Sequence, residues 1–186
     1  MEFRDVLFGR RSVRAFTPQP VDVNSLAWLI EAASQAPSAL NAQPWAFTVV
    51  RDPEMLDRIS AAAKTYMLTH GAPGVSASAF RDQLRDPAFH IFYHAPALVL
   101  IAAVDAGPWA VEDCALAAQN LMLAAHAVAL GTCWIGFAER WLQTDDGKAL
   151  LGLPRNHVPV APIVVGHPAA PPPPVPRHKP NVRWIG

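Results

Sequence analysis

The chain has 186 residues and a mass of 20.1 kDa, with 52% apolar and 16% charged residues. That is enough for one globular domain with a real core, and the composition excludes extensive disorder. Fifteen basic residues balance fifteen acidic ones, so the basic excess of a nucleic-acid or membrane-surface binder is missing.

The balance hides an asymmetry. Residues 1–146 carry all fifteen acids and ten bases, whereas residues 147–186 carry Lys148, Arg155, Arg177, Lys179 and Arg183 and no acid. A second basic cluster, Arg10, Arg11 and Arg14, lies in a stretch without carboxylates between Val6 and Val21. Two unpaired clusters near opposite ends of a neutral chain point to a shared, small anionic ligand. The opening MEFRDVLFGRR has no apolar signal-peptide core, and no apolar run reaches the roughly 18 residues that span a bilayer. The expectation is a cytoplasmic protein with neither a membrane nor a nucleic-acid partner.

In chain order, Phe3, Val6 and Leu7 share one face of a short helix over 2–10. Residues 11–20 are irregular. Asp22 caps a helix that carries Leu26, Leu29, Ile30 and Ala33 and stops by Ala36, before Pro37. Residues 37–44, PSALNAQP, form a loop, and WAFTVV (45–50) a buried strand. Asp52-Pro53-Glu54 starts a helix to about Met67. Residues 69–92 read as a mobile surface segment with one short helix, and ALVLIAAV (97–104) as an apolar strand.

The longest helix is expected from Trp109 to Leu130, rich in alanine and ended by Gly131. A short strand, TCWIGF (132–137), leads into a turn. One helix near 139–151 and a last core strand, VAPIVVG (160–166), follow. Seven of the thirteen residues from Pro168 to Pro180 are proline, which makes an extended arm. Trp184 at its end favours docking over free solvent. The expected division is a domain over 1–166 and an arm over 167–186.

The chain offers little protein-borne chemistry. His90 and His94 stand four apart without a third ligand, so no metal site is expected. Cys114 and Cys133 form no metal or disulfide pattern, and Cys133 reads as a buried, inert thiol. Asp113 is a carboxylate on an otherwise apolar helix and reads as holding a structural hydrogen bond at an interface, with catalysis as the minority reading. No nucleophile or acid–base pair emerges, so any hard chemistry belongs to a cofactor and no catalytic side chain is expected.

RRSVRAF (10–16), APSALNAQPWAFTVV (36–50), HAPALVLIAAVD (94–105), EDCALAAQNLMLAAHAVALGTCWIGF (112–137) and GHPAAPPPPVPRHKP (166–180) together resemble the nitroreductase-like flavoproteins. The resemblance implies an α+β sandwich-like fold, with a mixed sheet flanked by helices and a swapped C-terminal arm. It also implies a homodimer with FMN at its interface, passing electrons from NADH or NADPH to nitroaromatics, quinones or related conjugated acceptors. By residue, it implies that Arg10, Arg11, Ser12 and Arg14 bind FMN, with Arg14 at the pyrimidine edge. Pro37, Ser38, Ala39 and Asn41 come from the other subunit. Ile135 and Gly136 offer backbone N–H groups to the ring, and Arg177 and Lys179 hold the phosphate. Ahead of the central strand, where some members place an Asn and a Lys on the flavin, this chain reads Ala88-Phe89-His90-Ile91-Phe92-Tyr93. Residues 65–92, with Tyr66, Met67, Phe80, Phe89, Phe92 and Tyr93, are expected to govern acceptor choice. The alternatives are other flavin chemistry (reductive dehalogenation or flavin destruction), a non-catalytic flavin-binding module, and a proline-rich interaction protein acting through PVPRHKP.

Overall fold

The structure, a computed structural model, describes residues 1–71 and 78–186, with 78–80 by backbone alone. Four strands, β1 (Trp45–Val50), β2 (Ala97–Ala103), β3 (Gly131–Trp134) and β4 (Val158–Gly166), form one sheet in the order β1-β2-β4-β3. All three pairings are antiparallel. The sheet, expected to be mixed, is antiparallel throughout; one isolated parallel bridge, Ser12 to Thr132, lies outside its strand pairings.

β2 is buried along its whole length because helices cover both faces. Its alternate residues feed two cores, as the period of a strand dictates. Ala97, Val99, Ile101 and Ala103 join Leu26, Leu29 and Ala33 of α2 (Val23–Ser34) and Ala117, Leu121 and Ala125 of α5 (Ala110–Ala127). Leu98 and Leu100 join Leu56, Ile59 and Ala63 of α3 (Pro53–His70) and Ala138 and Leu142 of α6 (Gly136–Leu142). The architecture is α+β, a sheet between two helical layers. Among the described residues no helix is long and apolar enough to cross a membrane.

Local signals explain most boundaries. The Asp22 carboxylate accepts the amides of Asn24 and Ser25, both at 2.9 Å, and starts α2. Asp52 accepts the amide of Glu54 at 3.1 Å, with Pro53 in the first helical position, and starts α3. That helix continues to His70, past the expected end at Met67. The short helix expected within 69–92 is α4 (Ser78–Arg85); the mobility expected of 72–77 lies outside the described residues.

Three expectations are corrected. α5 ends at Ala127, not Leu130, and Gly131 opens β3. The stop is a Schellman turn: Ala129 takes φ 61°, its amide meets His126 O at 3.1 Å, and the Leu130 amide meets Ala125 O at 2.9 Å. Gly131 is needed for close approach instead, since a Cβ there would lie 2.8 Å from Val13 Cγ2 and 3.0 Å from Pro168 Cγ. The single helix near 139–151 is two, α6 and α7 (Asp145–Leu150), because Thr144 caps the second by accepting the Gly147 amide at 3.1 Å. In α1 (Phe3–Gly9) only Val6 is buried; Phe3 and Leu7 face outward, with Phe8.

Candidate functional site

Residues 12–17 form a strap across one end of the sheet. The Val13 amide donates to Thr132 O, the Thr17 amide to His167 O and the Ala169 amide to Ala15 O, all at 2.9 Å. The strap is therefore stitched both to the start of β3 and to the segment that leaves β4. This double anchoring brings the N-terminal cations to the root of the C-terminal arm.

A cavity of about 610 Å³ opens there. Arg10, Arg11, Ser12 and Arg14 line it from the strap side, and Ala170, Pro171, Val175 and Arg177 from the arm. Among the described residues no carboxylate lines it. Burial lowers the Arg10 guanidinium from its ordinary value, and the like charges of Arg177 and Arg11 add to that. Cations crowded without counter-charge are a site for an anion. Lys179 does not line the cavity; it stands exposed two residues farther along the arm. Arg11 is partly committed, since one terminal nitrogen donates to Phe8 O and Arg10 O at 2.7 Å and closes the end of α1.

Next along β3 from the strap's bridge at Thr132, the Cys133 thiol points to Trp134 O, 3.7 Å away. Cys133 is buried, and burial raises its pKa above the ordinary value; Arg14, Ser12 and Arg10 oppose this. Burial, reinforced by Asp113, pushes Cys114 up to about 12. Both thiols are protonated at neutral pH and poorly nucleophilic.

Past Trp134 the chain turns into α6. The Ile135 amide donates to Pro162 O at 2.7 Å and extends the pairing with β4. That bond removes Ile135 from the two ring-facing donors expected. Gly136, the first residue of α6, has no acceptor within its own helix. A Cβ at Gly136 would meet nothing within 4 Å, so open space lies over that backbone.

The loop 37–44 occupies the other end of the sheet. It runs into Trp45, which pairs with Ala103, whereas the strap lies by Gly131, which pairs with Gly166. Six steps along β2 separate these ends, about 20 Å. The loop is braced: the Ala39 amide donates to Asp113 Oδ1 and the Gln43 amide to Ser38 Oγ, both at 2.9 Å. Leu40, Asn41 and Gln43 all have positive φ, between 48° and 55°, and Leu40 is 101% exposed. One chain thus does not bring Pro37, Ser38, Ala39 and Asn41 to the Arg10–Arg177 cavity.

Of the aromatic and sulfur side chains expected over an acceptor, Phe92 and Met67 are core residues and cannot serve there. Tyr66, Phe89 and Tyr93 are partly buried at the edge of that core; the Phe80 side chain lies outside the description. His90 is turned inward, its Nδ1 accepting the Phe92 amide at 3.2 Å and its Nε2 lying 3.2 Å from Asp57 Oδ1. Among the described residues no group of three or more His, Cys, Asp or Glu side chains is arranged to hold a metal.

Residues 7–167 match the model of the nitroreductase family. A candidate NADH dehydrogenase/NAD(P)H nitroreductase of Archaeoglobus fulgidus is 32% identical over 163 residues, covering 88% of this chain and 83% of that protein. An FMN reductase (NADPH) of Bacillus subtilis is 28% identical over 172 residues, covering 89% of this chain and 65% of that one. The crystal structure of a nitroreductase with bound FMN from Bacteroides fragilis superposes with a TM-score of 0.80 at 26% identity, covering 98% of this chain and 95% of the other. The chain belongs to the nitroreductase family.

Proposed function

We propose that this protein is an FMN-dependent NAD(P)H oxidoreductase that reduces quinones, nitroaromatics or related conjugated acceptors, and that it works as a homodimer. The observation that carries the proposal is the convergence of Arg10 and Arg177, from opposite ends of the chain, on one cavity without a carboxylate. Family membership and relatives named as FMN reductase and NAD(P)H nitroreductase supply the chemical class.

The residues fit the cofactor. Crowded arginines suit a phosphate, and the open space over Gly136 suits a flat ring. Bound FMN would supply electron transfer between the nicotinamide donor and the acceptor, which meet it in turn. The chain's own work is to bind and orient. Arg10, Ser12 and Arg177, supported by Arg11 and Lys179, hold the phosphate. Arg14 faces the pyrimidine edge, and the Gly136 amide donates to the ring beside Ile135.

Pro37, Ser38, Ala39 and Asn41 complete the site from a second copy. Three features support that reading: the 20 Å separation within one chain, the fully exposed Leu40 on a braced loop, and the apolar surface of a single chain. That surface includes Phe3 and Phe8 on α1, Trp109 and Val111 by the start of α5, and Trp184 and Ile185 on the arm, the last two 90% and 85% exposed. Large exposed apolar groups in such number mark an interface. The arm over 167–186 docks on the partner, while 1–166 forms the domain.

Steady-state oxidation of NADPH and NADH by the FMN-loaded protein, with a quinone and then a nitroaromatic as acceptor, tests the activity. Acceptor-dependent oxidation is expected. A flavin-loaded dimer that turns over neither donor with either acceptor would leave a flavin-binding module.

A further inference from the structure

A second cavity, of about 400 Å³, borders the first. Arg10, Arg11, Val13 and the stretch 170–172 belong to both walls, whereas His126, Ala129 and Pro168 line the second alone. It lies between the strap, the end of α5 and the root of the arm. Among the described residues no carboxylate lines it either.

The wall carries donors that lack acceptors. Arg11 Nε is buried and has no hydrogen-bond partner among the described residues. A buried donor left open costs about 1–3 kcal/mol and calls for an explanation. The Arg10 guanidinium forms no ion pair among the described residues. The end of α5 does not serve these donors with Ala125 O and His126 O, which accept the amides of Ala129 and Leu130. The imidazole of His126 is held in place by a close approach. A Cβ built at Gly9 would lie 2.7 Å from His126 Nε2, so α1 reaches the ring only because residue 9 is glycine. Arg10 and Arg11 follow Gly9 directly.

We propose that this smaller cavity is a second anion subsite, which takes a phosphoryl group beside the one in the larger cavity, with Arg10 and Arg11 as the shared wall and His126 as its own contact. A guanidinium carries five donors and can face two anions. The inference rests on the flavin reading only in giving the larger cavity to the FMN phosphate. In the free chain burial, then the charges of Arg10 and Arg11, lower the His126 pKa, so its ring is neutral at neutral pH. An anion that offsets the two arginines draws a proton onto it. Arg10, Arg11 and the Met1 terminus are the other groups of that wall that carry charge.

The test adds sulfate, whose charge is constant across the working pH range, to the FMN-loaded protein. Binding is read by calorimetry and by the His126 imidazole resonance, identified by its loss in His126→Gln. One sulfate per chain should bind with FMN in place, and the His126 pKa should rise. His126→Gln should weaken sulfate roughly 10-fold near pH 5.5, by less near pH 8, and leave FMN affinity unchanged. A second variant uses Ala129, whose φ of 61° suits Asp and Asn. Ala129→Asp should abolish sulfate binding and Ala129→Asn should keep it. Inorganic phosphate and ADP, each checked against Ala129→Asp, distinguish the sources: tighter ADP assigns the subsite to a nucleotide, equal binding to free phosphate. Sulfate that binds only the flavin-free protein, or that survives Ala129→Asp, would overturn the inference while the flavin reading stands. A chain that takes up two sulfates but no flavin would overturn the flavin reading alone.

Discussion

Asp113 Oδ1 accepts the backbone amide of Ala39 at 2.9 Å, across 74 positions of sequence. Asp113 is 4% exposed, on the first turn of α5, and it ties the 37–44 loop to the helical layer. Removing it leaves a half-buried amide without a partner. Asp113→Ala should therefore destabilise the fold by about 1–3 kcal/mol, read from chemical denaturation. If the loop completes the site of a second copy, the variant should also weaken FMN binding and dimerisation while leaving the Arg10–Arg177 cavity intact. Asp113→Asn, which keeps an acceptor oxygen, should be milder on every count.

Arg177 is the arm's contribution to the cavity, and Lys179 stands outside its wall. A hydrogen bond to a charged group contributes roughly 1.5–3 kcal/mol, so Arg177→Ala should weaken FMN by about 10- to 150-fold. Lys179→Ala should do less. Riboflavin, which lacks the phosphate, should be nearly indifferent to both, as fluorescence quenching would show. Equal losses for the two flavins would place Arg177 in the fold or the dimer rather than at a phosphate.

Gly131 leaves no room for a side chain where β3 passes under the strap, with Val13 Cβ at 2.9 Å and Pro168 Cγ at 3.0 Å from a Cβ built there. Gly131→Ala should push the strap off the sheet and cost about 1–3 kcal/mol. Because the strap carries Arg10, Ser12 and Arg14, flavin affinity should fall along with stability. A variant with wild-type melting temperature and affinity would show that the strap is free to move.

His90 makes stability depend on pH. Burial lowers its pKa below 6.5; the nearby charges of His94 and Lys64 push the same way and Asp57 opposes them. The unfolded chain then binds the proton more readily than the folded one. The sign follows: this stability is fully present above pH 6.5 and is lost as pH falls toward the folded value. Protonation also costs the acceptor role of Nδ1 toward the Phe92 amide. Between pH 7 and 5 the wild type should lose more unfolding free energy than His90→Gln, with a limiting difference of about 1.4 kcal/mol per pH unit. Parallel profiles would show that His90 keeps its solution pKa.

Much of the fold was legible in the sequence. β2 and β4 are continuous apolar runs because helices cover both faces of the sheet; β1, expected to be buried, is an edge strand with Val50 alone buried and Val49 exposed. Asp22 and Asp52 announce α2 and α3. The end of α5 was not legible, because Ala129 takes a conformation that sequence rules reserve for glycine, and Gly131 two residues on drew the attention instead. The break between α6 and α7 did carry a signal: Thr144 ahead of Asp145 and Asp146 is a capping residue followed by an acidic first turn. At the site, charge patterning pointed to Arg10 and Arg177 as partners on one anion. Side-chain and amide commitments could not be read, since they depend on carbonyls brought up by folding. Arg11 is partly held by Phe8 O and Arg10 O, and the Ile135 amide by Pro162 O. Nor did the string of letters show that Phe92 belongs to the core while Tyr93, its neighbour, is only partly buried at the edge of that core.

The most direct test of the account is the flavin content of the purified protein and its response to NADPH without oxygen. The account predicts a yellow protein that runs as a dimer, releases one FMN per chain on denaturation, and bleaches when NADPH is added. A colourless protein that fails to take up added FMN would contradict the assignment of the Arg10–Arg177 cavity and the function built on it.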